Sequence, residues 1–399
     1  MLPYGRQSIC QADIDEVTRV LKGDFLTTGP EVPSFESAFA SYVDVPFAVA
    51  CANGTAALHL VSLALGLKPG DQVIVPTMSF VATANGPHYC GADIIFADVD
   101  PDSGLVTADT IKEALTRADL DRLKAIFVVH LTGASVDMTG ISDLAREVSV
   151  PLVEDACHAV GSNYLLSSEA RGRVGDCQLS DFAVFSFHPV KTITCGEGGM
   201  ITTRSEEYAS RLKLLRNHGL IRDSNQWVDE RLGCDEVTGE VNPWVYELQV
   251  LGYNYRLTDF QAVLGKNQLQ KMSNFGPKRQ LLIQEYRKHL TNVSPNVVLA
   301  NTVLQSEAVH HLVSALIDFS AIKKSRRQVM LELQEYGIGT QVHYIPIHFQ
   351  PYYRHKYGFL NLTGAEKYYE RCLSLPLFPD MSVDDVEFVV DRLMLVTGV

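Results

Sequence analysis

Over most of the first 270 residues, short apolar runs alternate with stretches in which apolar residues recur every three or four positions. The runs at 47–52 (FAVACA), 71–76 (DQVIVP), 94–100 (IIFADVD), 124–133 (KAIFVVHLTG), 150–156 (VPLVEDA), 182–188 (FAVFSFH) and 198–203 (GGMITT) read as buried strands. Between them, residues 13–22, 32–43, 109–117 and 139–148 read as helices, and AALHLVSLALG sets Leu58, Val61 and Leu65 at helical spacing. Strands alternating with helices predict an α/β fold built on a mostly parallel sheet, with helices on both faces. Ligands of such sheets sit beyond the carboxyl ends of the strands. Residues 222–247 are polar, carry Trp227 and Trp244 and lack periodicity, which predicts a long loop or hairpin excursion. From about residue 275 the texture changes to a helix at 278–291, the run VSALID, a helical stretch at 320–336, GTQVHYIP and a last helix near 383–396. The expected organisation is a large domain over 1–270 and a smaller C-terminal α+β domain over 271–399.

The length of 399 residues suits two to three domains, at roughly 100–200 residues each. Against 34 Lys and Arg stand 47 Asp and Glu, a net charge of −13. That balance argues against a nucleic-acid coat or a polybasic membrane binder. It leaves room for an anionic small molecule, because a local site can oppose the global charge. The first residues carry no basic region followed by an apolar run, and no stretch approaches the ~18 consecutive apolar residues of a membrane span. A cytoplasmic protein that binds neither nucleic acid nor membrane is expected. The eight cysteines are scattered without a CxxC. This predicts reduced, mostly buried thiols rather than disulfides, and no metal site.

Five segments carry candidate chemistry. In FAVFSFHPVKTIT an apolar strand runs to Ser186, and Lys191 follows a His-Pro turn ahead of the glycine-rich 196–199. A lysine desolvated at a strand exit keeps a neutral amine, which is nucleophilic towards aldehydes; the plain alternative is a surface lysine in a turn. Asp155 ends the strand of VEDACH, where a carboxylate can pair with a pyridinium nitrogen or simply cap a helix. Asn53-Gly54-Thr55-Ala56 joins a strand to an amphipathic helix, which makes an anion cradle or an ordinary capped helix. Phe80, after the strand 71–76, can lie over an aromatic ligand or belong to the core. GYNYRLTDFQA places Asn254 and Arg256 between a loop and a new helix. Each segment is ambiguous alone. Together they supply a phosphate cradle, a ring stacker, a pyridinium partner and a Schiff-base lysine, the parts that pyridoxal 5′-phosphate (PLP) requires. No GxGxxG after a strand, P-loop, HExxH or GxSxG competes.

With these residues in hand, the sequence closely resembles the DegT/DnrJ/StrS family of PLP-dependent sugar aminotransferases. The resemblance runs through LTTGPEVPSFE, ANGTAALHL, VPTMSFVATAN, VEDACHAVGS, SFHPVKTITCGEGGM, LRNHGL, LGYNYRLTDFQAVLG and GIGTQVHYIPIH. It implies the type I aminotransferase fold and a homodimer with shared active sites. Lys191 would hold PLP as the internal aldimine and then shuttle protons. Asp155 would pair with the ring nitrogen, and Thr55, Ala56 and Ser186 would bind the phosphate. Asn254 would reach the phosphate from the partner subunit, Phe80 would stack on the ring and His158 would sit beside it. Two departures are Cys195 before GEGG and Val313 where many members carry an aromatic.

Within the family, SFVATANGPHYCGADIIFADVDPDSG, SFHPVKTIT and QVHYIPIH look most like the pseudaminic acid branch. Its enzyme aminates C4 of UDP-2-acetamido-2,6-dideoxy-β-L-arabino-hex-4-ulose with L-glutamate as donor, releasing 2-oxoglutarate. By that resemblance Tyr4, Asp24, Phe25, Leu26, Thr27, Gln341, Val342, His343 and Tyr344 would line the sugar-nucleotide site. Since the net charge is −13, local donors must hold the diphosphate, and Arg256 and backbone amides are the candidates. The alternatives are an aminotransferase for another nucleotide 4-keto or 3-keto sugar, a PLP-dependent sugar dehydratase (in which histidine replaces the lysine), and a PLP-binding homologue without turnover.

Overall fold

The computed structural model describes residues 1–166, 170–229, 233–291, 293–301 and 308–399. Every predicted strand of the first 203 residues forms. They are β1 (Phe47–Cys51), β2 (Gln72–Pro76), β3 (Asp93–Ala97), β4 (Leu123–Val129) and β5 (Leu152–Asp155), then, after a small antiparallel pair β6 (Asn163–Leu165) and β7 (Arg171–Arg173), β8 (Phe182–Ser186) and β9 (Gly199–Thr203). Seven of them make one sheet in the order β1-β9-β8-β5-β4-β2-β3. All five residues of β2, β8 and β9 are buried. Neighbouring side chains point to opposite faces, so both faces of the sheet are covered.

The sheet is parallel except for β9, which runs antiparallel to β8 and β1. The physical reason lies in the link 187–198, which contains no helix. Without a crossover element the chain turns straight back and pairs antiparallel. Lys191 sits in this reversal. The turn is closed by Phe187 N–H donating to the Gly198 carbonyl at 2.8 Å and Cys195 N–H to the Phe187 carbonyl at 3.1 Å.

The predicted helices form over Gln11–Leu21, Glu31–Val43, Gly54–Ala64, Ala108–Arg117, Met138–Glu147, Met272–Leu290, Arg326–Glu335 and Val383–Thr397. The helix Ala82–Tyr89 escapes the periodicity argument because it contains Gly86 and Pro87. Gly86 belongs there for packing: a Cβ would come 2.8 Å from Leu58 Cβ on the helix Gly54–Ala64. The excursion is closed at its neck by β10 (Leu220–Ile221) paired with β11 (Glu247–Leu248), and it exposes Trp244.

Buried apolar side chains divide into two clusters, one on the seven-stranded sheet and one on an antiparallel sheet of β12 (Val297–Leu299), β13 (Val313–Ile317) and β14 (Cys372–Leu375). The helix Met272–Leu290 bridges them, giving Met272 and Phe275 to the first and Leu282 onward to the second. The N-terminus docks on the second, where Leu2 N–H donates to the Gly337 carbonyl and Leu377 N–H to the Tyr4 carbonyl. Of the eight cysteines, all free thiols, Cys51, Cys177, Cys195 and Cys372 are buried and Cys10 is exposed. Among the described residues, no helix is long and apolar enough to cross a membrane.

Candidate active site

The parallel strands converge on a cavity of about 1170 Å³. β1 leads into Asn53, Thr55 and Ala56, β2 into Phe80, β5 ends at Asp155 followed by His158, β8 ends at Ser186, and the reversal after it brings Lys191. Tyr4, Gln341, Val342, His343 and Tyr344 line the opposite side. Residues more than three hundred positions apart therefore meet at the strand ends, where the sheet topology places ligands.

The cradle is the N-terminus of the helix Gly54–Ala64. Asn53 is extended, and its side chain accepts the Ala56 N–H at 2.8 Å. Ala57 N–H donates to the Asn53 carbonyl. The Ala56 amide is thus engaged within the chain. Among the described residues, the open donors of this first turn are the amides of Gly54 and Thr55. Gly54 is needed for space: a Cβ there would lie 3.0 Å from Ser186 Cβ and 3.3 Å from Cys157 Sγ. The Ser186 hydroxyl lies 3.3 Å from where that Cβ would stand, and a hydroxyl beside open helix-start amides suits a phosphate.

Asp155 is buried, and each of its carboxylate oxygens accepts one hydrogen bond. Thr83 donates its hydroxyl to Oδ2 at 2.6 Å, and Cys157 N–H donates to Oδ1 at 3.2 Å. Because the Thr83 hydrogen points to Asp155, Ser79 donates to Thr83, also at 2.6 Å. Lys191 lines the same cavity. Burial lowers its pKa below the ordinary lysine value, and the negative charge of Asp155 opposes the shift. Burial favours the neutral, nucleophilic amine. Burial also pushes the Cys157 thiol well up, with Asp155 adding to the effect, so it stays protonated.

The far wall is a group of neutral aromatic side chains. His158 Nδ1 accepts the Thr132 N–H at 3.3 Å, and Nε2 lies 3.0 Å from the Tyr344 hydroxyl. Its ring stacks on Tyr344 and lies 4.7 Å, centroid to centroid, from that of His311. His343 Nδ1 pairs with the Ser374 hydroxyl at 2.8 Å. Burial, reinforced by the Lys191 charge, pulls the His343 pKa down to about 3. Burial likewise holds His158 and His311 well below the usual histidine range. Burial also raises the Tyr344 phenol well above its ordinary value.

Six expected residues do not line this cavity in the same chain. Thr27 bridges to Thr258, and the Leu26 carbonyl accepts the Asp259 N–H at 2.9 Å. Asp24, Phe25 and Leu26 are exposed beside them. Asn254 is exposed and bridges to Asn217, to whose Oδ1 Arg256 donates at 2.9 Å. These residues form a surface strip around the start of the helix Asp259–Gln270. That strip touches the cavity rim through Gln261, which donates to the carbonyl of Glu197, a cavity residue. Val313 is buried in β13 away from the cavity, whereas His311, two residues earlier, lines it.

Thr83, Thr132 and His311 join this hydrogen-bonded and stacked surround without being among the candidate residues read from the sequence. Thr83 lies on the helix Ala82–Tyr89, which shows no periodic pattern in the sequence. Thr132 and His311 carry no signal in the sequence, since both act through distant partners.

Known proteins resemble this chain along its whole length. The uncharacterized protein MJ1066 of Methanocaldococcus jannaschii is 36% identical over 394 residues, covering 98% of this chain and 96% of that protein. The structure of Helicobacter pylori PseC, an aminotransferase involved in the biosynthesis of pseudaminic acid, superposes with a TM-score of 0.87 at 26% identity, covering 100% of this chain and 99% of that one. Spr1654 of Streptococcus pneumoniae in its PLP form gives 0.84 at 25% identity, over 100% of this chain and 98% of that one. A family model spans residues 7–394, and the chain belongs to the DegT/DnrJ/EryC1/StrS aminotransferase family.

Proposed function

We propose that this sugar aminotransferase moves the amino group of L-glutamate to C4 of a UDP-linked 4-keto-6-deoxy-N-acetylhexosamine, UDP-2-acetamido-2,6-dideoxy-β-L-arabino-hex-4-ulose, as in pseudaminic acid biosynthesis. The observation that carries the reading is the meeting of Lys191, Asp155 and the open amides of Gly54 and Thr55 in one cavity. The likeness to PseC supports the sugar assignment.

The cofactor is PLP, and the residues present fit it. The cradle, whose space depends on Gly54, suits a phosphate, and Asp155, held by two donors, suits a ring nitrogen that must stay protonated. When bound, PLP supplies an aldehyde for the lysine and a ring that takes up the electron pair of a broken C–H bond. Lys191 does the rest of the proton work. Its amine, freed by the entering substrate, removes the α-hydrogen of glutamate and returns a proton to C4 of the sugar from one side of the cavity. General acid–base catalysis of this kind contributes about 10²–10⁴-fold. Phe80 reaches over the cavity with its ring 6.0 Å from that of Tyr344, in a position to cover an aromatic ligand.

Among the described residues lining the cavity, Lys191 is the one lysine or arginine. Glutamate and a nucleotide diphosphate together need more positive charge. A homodimer in the cytoplasm answers this: the strip with the exposed Asn254 and the half-buried Arg256 from a second copy would complete the site. The presence of Lys191 where a dehydratase would carry histidine favours transamination.

The test is a spectrum of purified protein with PLP before and after L-glutamate, followed by turnover assays with UDP- and dTDP-linked 4-keto sugars. A glutamate-dependent change in cofactor absorbance and selective turnover of the UDP-linked 2-acetamido sugar are expected. No spectral change would refute the aminotransferase assignment; preference for a dTDP sugar would refute the substrate.

A further inference from the structure

Thr132, whose N–H meets the cavity residue His158, has an unusual backbone. It is β-branched, yet its φ of 62° lies in the left-handed region, where such side chains are outliers. Its hydroxyl is buried without a hydrogen-bond partner among the described residues, so the side chain does not account for the conformation. Its backbone does. The Thr132 carbonyl accepts the N–H groups of His311 and Leu312 at 2.7 and 3.2 Å, and its own N–H reaches His158 Nδ1 at 3.3 Å. A peptide N–H only donates, so Nδ1 of the neutral ring must be the acceptor and Nε2 must carry the hydrogen. Nε2 then donates to the Tyr344 oxygen at 3.0 Å. The Tyr344 hydrogen must turn elsewhere, and among the described residues no acceptor takes it. Tyr344 lines the cavity with Lys191.

We propose that Thr132 and His158 fix the Tyr344 hydroxyl as a neutral hydrogen-bond donor for the ketone oxygen of a substrate in this cavity. The inference rests on the aminotransferase reading above. A carboxylate or a phosphate would call for a cation. A ketone oxygen is neutral and gains negative charge only as nitrogen adds to its carbon, which is what a fixed uncharged donor stabilises. In that step the C–N bond forms, the C–O bond breaks, and the oxygen leaves as water with the two hydrogens of the amine. The hydrogen of Tyr344 stays on Tyr344. The same donor serves the reverse step, when water releases 2-oxoglutarate. It has no part in breaking the C–H bond of glutamate, which belongs to Lys191. Tyr344 is thus a catalytic residue, and Thr132 and His158 are positioning residues.

The experiment separates the two kinds of step in Tyr344→Phe holoenzyme. Exchange of the glutamate α-hydrogen with solvent deuterium, followed by NMR, reports C–H cleavage. Single-turnover formation of 2-oxoglutarate, and consumption of the keto sugar by the aminated enzyme, report the C–O steps. Exchange is expected to stay within about threefold of wild type while both C–O steps slow by about 10–100-fold, the cost of losing one such donor. Equal loss in all three, loss in none, or a shifted cofactor spectrum without substrate (placing the hydroxyl on the cofactor) would overturn the inference. Independently of any variant, ¹⁵N NMR of histidine-labelled wild type should show His158 hydrogen on Nε2; hydrogen on Nδ1 would overturn it as well. Wild-type holoenzyme that exchanges no glutamate hydrogen would instead sink the underlying reading.

Discussion

Replacing Thr83 by valine removes one hydroxyl and nearly preserves shape, and it tests how Asp155 is held. The hydroxyl donates to Asp155 Oδ2 at 2.6 Å. Asp155 is 5% exposed, so water has little access to replace the lost bond. A hydrogen bond to a charged group contributes about 1.5–3 kcal/mol. At about 1.4 kcal/mol per factor of ten, Thr83→Val should weaken cofactor binding or slow the glutamate half-reaction by about 10- to 150-fold. It should also destabilise the cofactor-free protein by a comparable energy. Ser79→Ala removes the next bond outward, Ser79 to Thr83 at 2.6 Å. That bond joins two neutral groups and should cost only about 0.5–1.5 kcal/mol. The assays are urea unfolding of the cofactor-free variants and PLP titration followed by absorbance. Thr83→Val within about 0.5 kcal/mol of wild type in both assays, or Ser79→Ala exceeding it, would refute the reasoning.

Two further outcomes are expected. In Gly54→Ala the new methyl would lie 3.0 Å from Ser186 Cβ; such overpacking costs about 1–3 kcal/mol, so PLP affinity should drop by about tenfold or more, read by the same titration. Acid should destabilise the fold through the three cavity histidines. Burial keeps His343 near about 3, and His158 and His311 well below normal, in the native state, while the unfolded chain protonates them near about 6.5. The unfolded state therefore binds more protons in acid. The contribution of each histidine is complete above about pH 6.5 and falls by about 1.4 kcal/mol per pH unit below it, until its native value is reached. Urea unfolding between about pH 7.5 and pH 5 should show this slope, and His343→Gln should flatten it by about one histidine's share; an unchanged slope would count against a neutral His343.

The central sheet was legible because each strand is a short buried run with a helix or turn on either side, and the cradle because Asn53-Gly54-Thr55 sits between a strand and an amphipathic helix. Lys191 and Asp155 were legible as strand-end residues, and the sheet brings their strands β8 and β5 side by side. What was hidden lies in packing across the chain. The helix Ala82–Tyr89 reads as a loop until Gly86 is seen against Leu58, and with the helix went Thr83. The reversal of β9 leaves no mark in its composition. Thr132 matters through its backbone, and His158 and Tyr344 become a pair only because residues 186 positions apart meet. The strip of Asp24 to Thr27, Asn254 and Arg256 is absent from the cavity of its own chain.

The most direct measurement is of the lysine itself. Protein incubated with PLP is reduced with borohydride, digested and mapped by mass spectrometry, alongside Lys191→Ala. A pyridoxyl group on Lys191, with no visible cofactor band and no turnover in the variant, is the result required. Label on a different lysine, or a variant that keeps band and activity, would contradict the account.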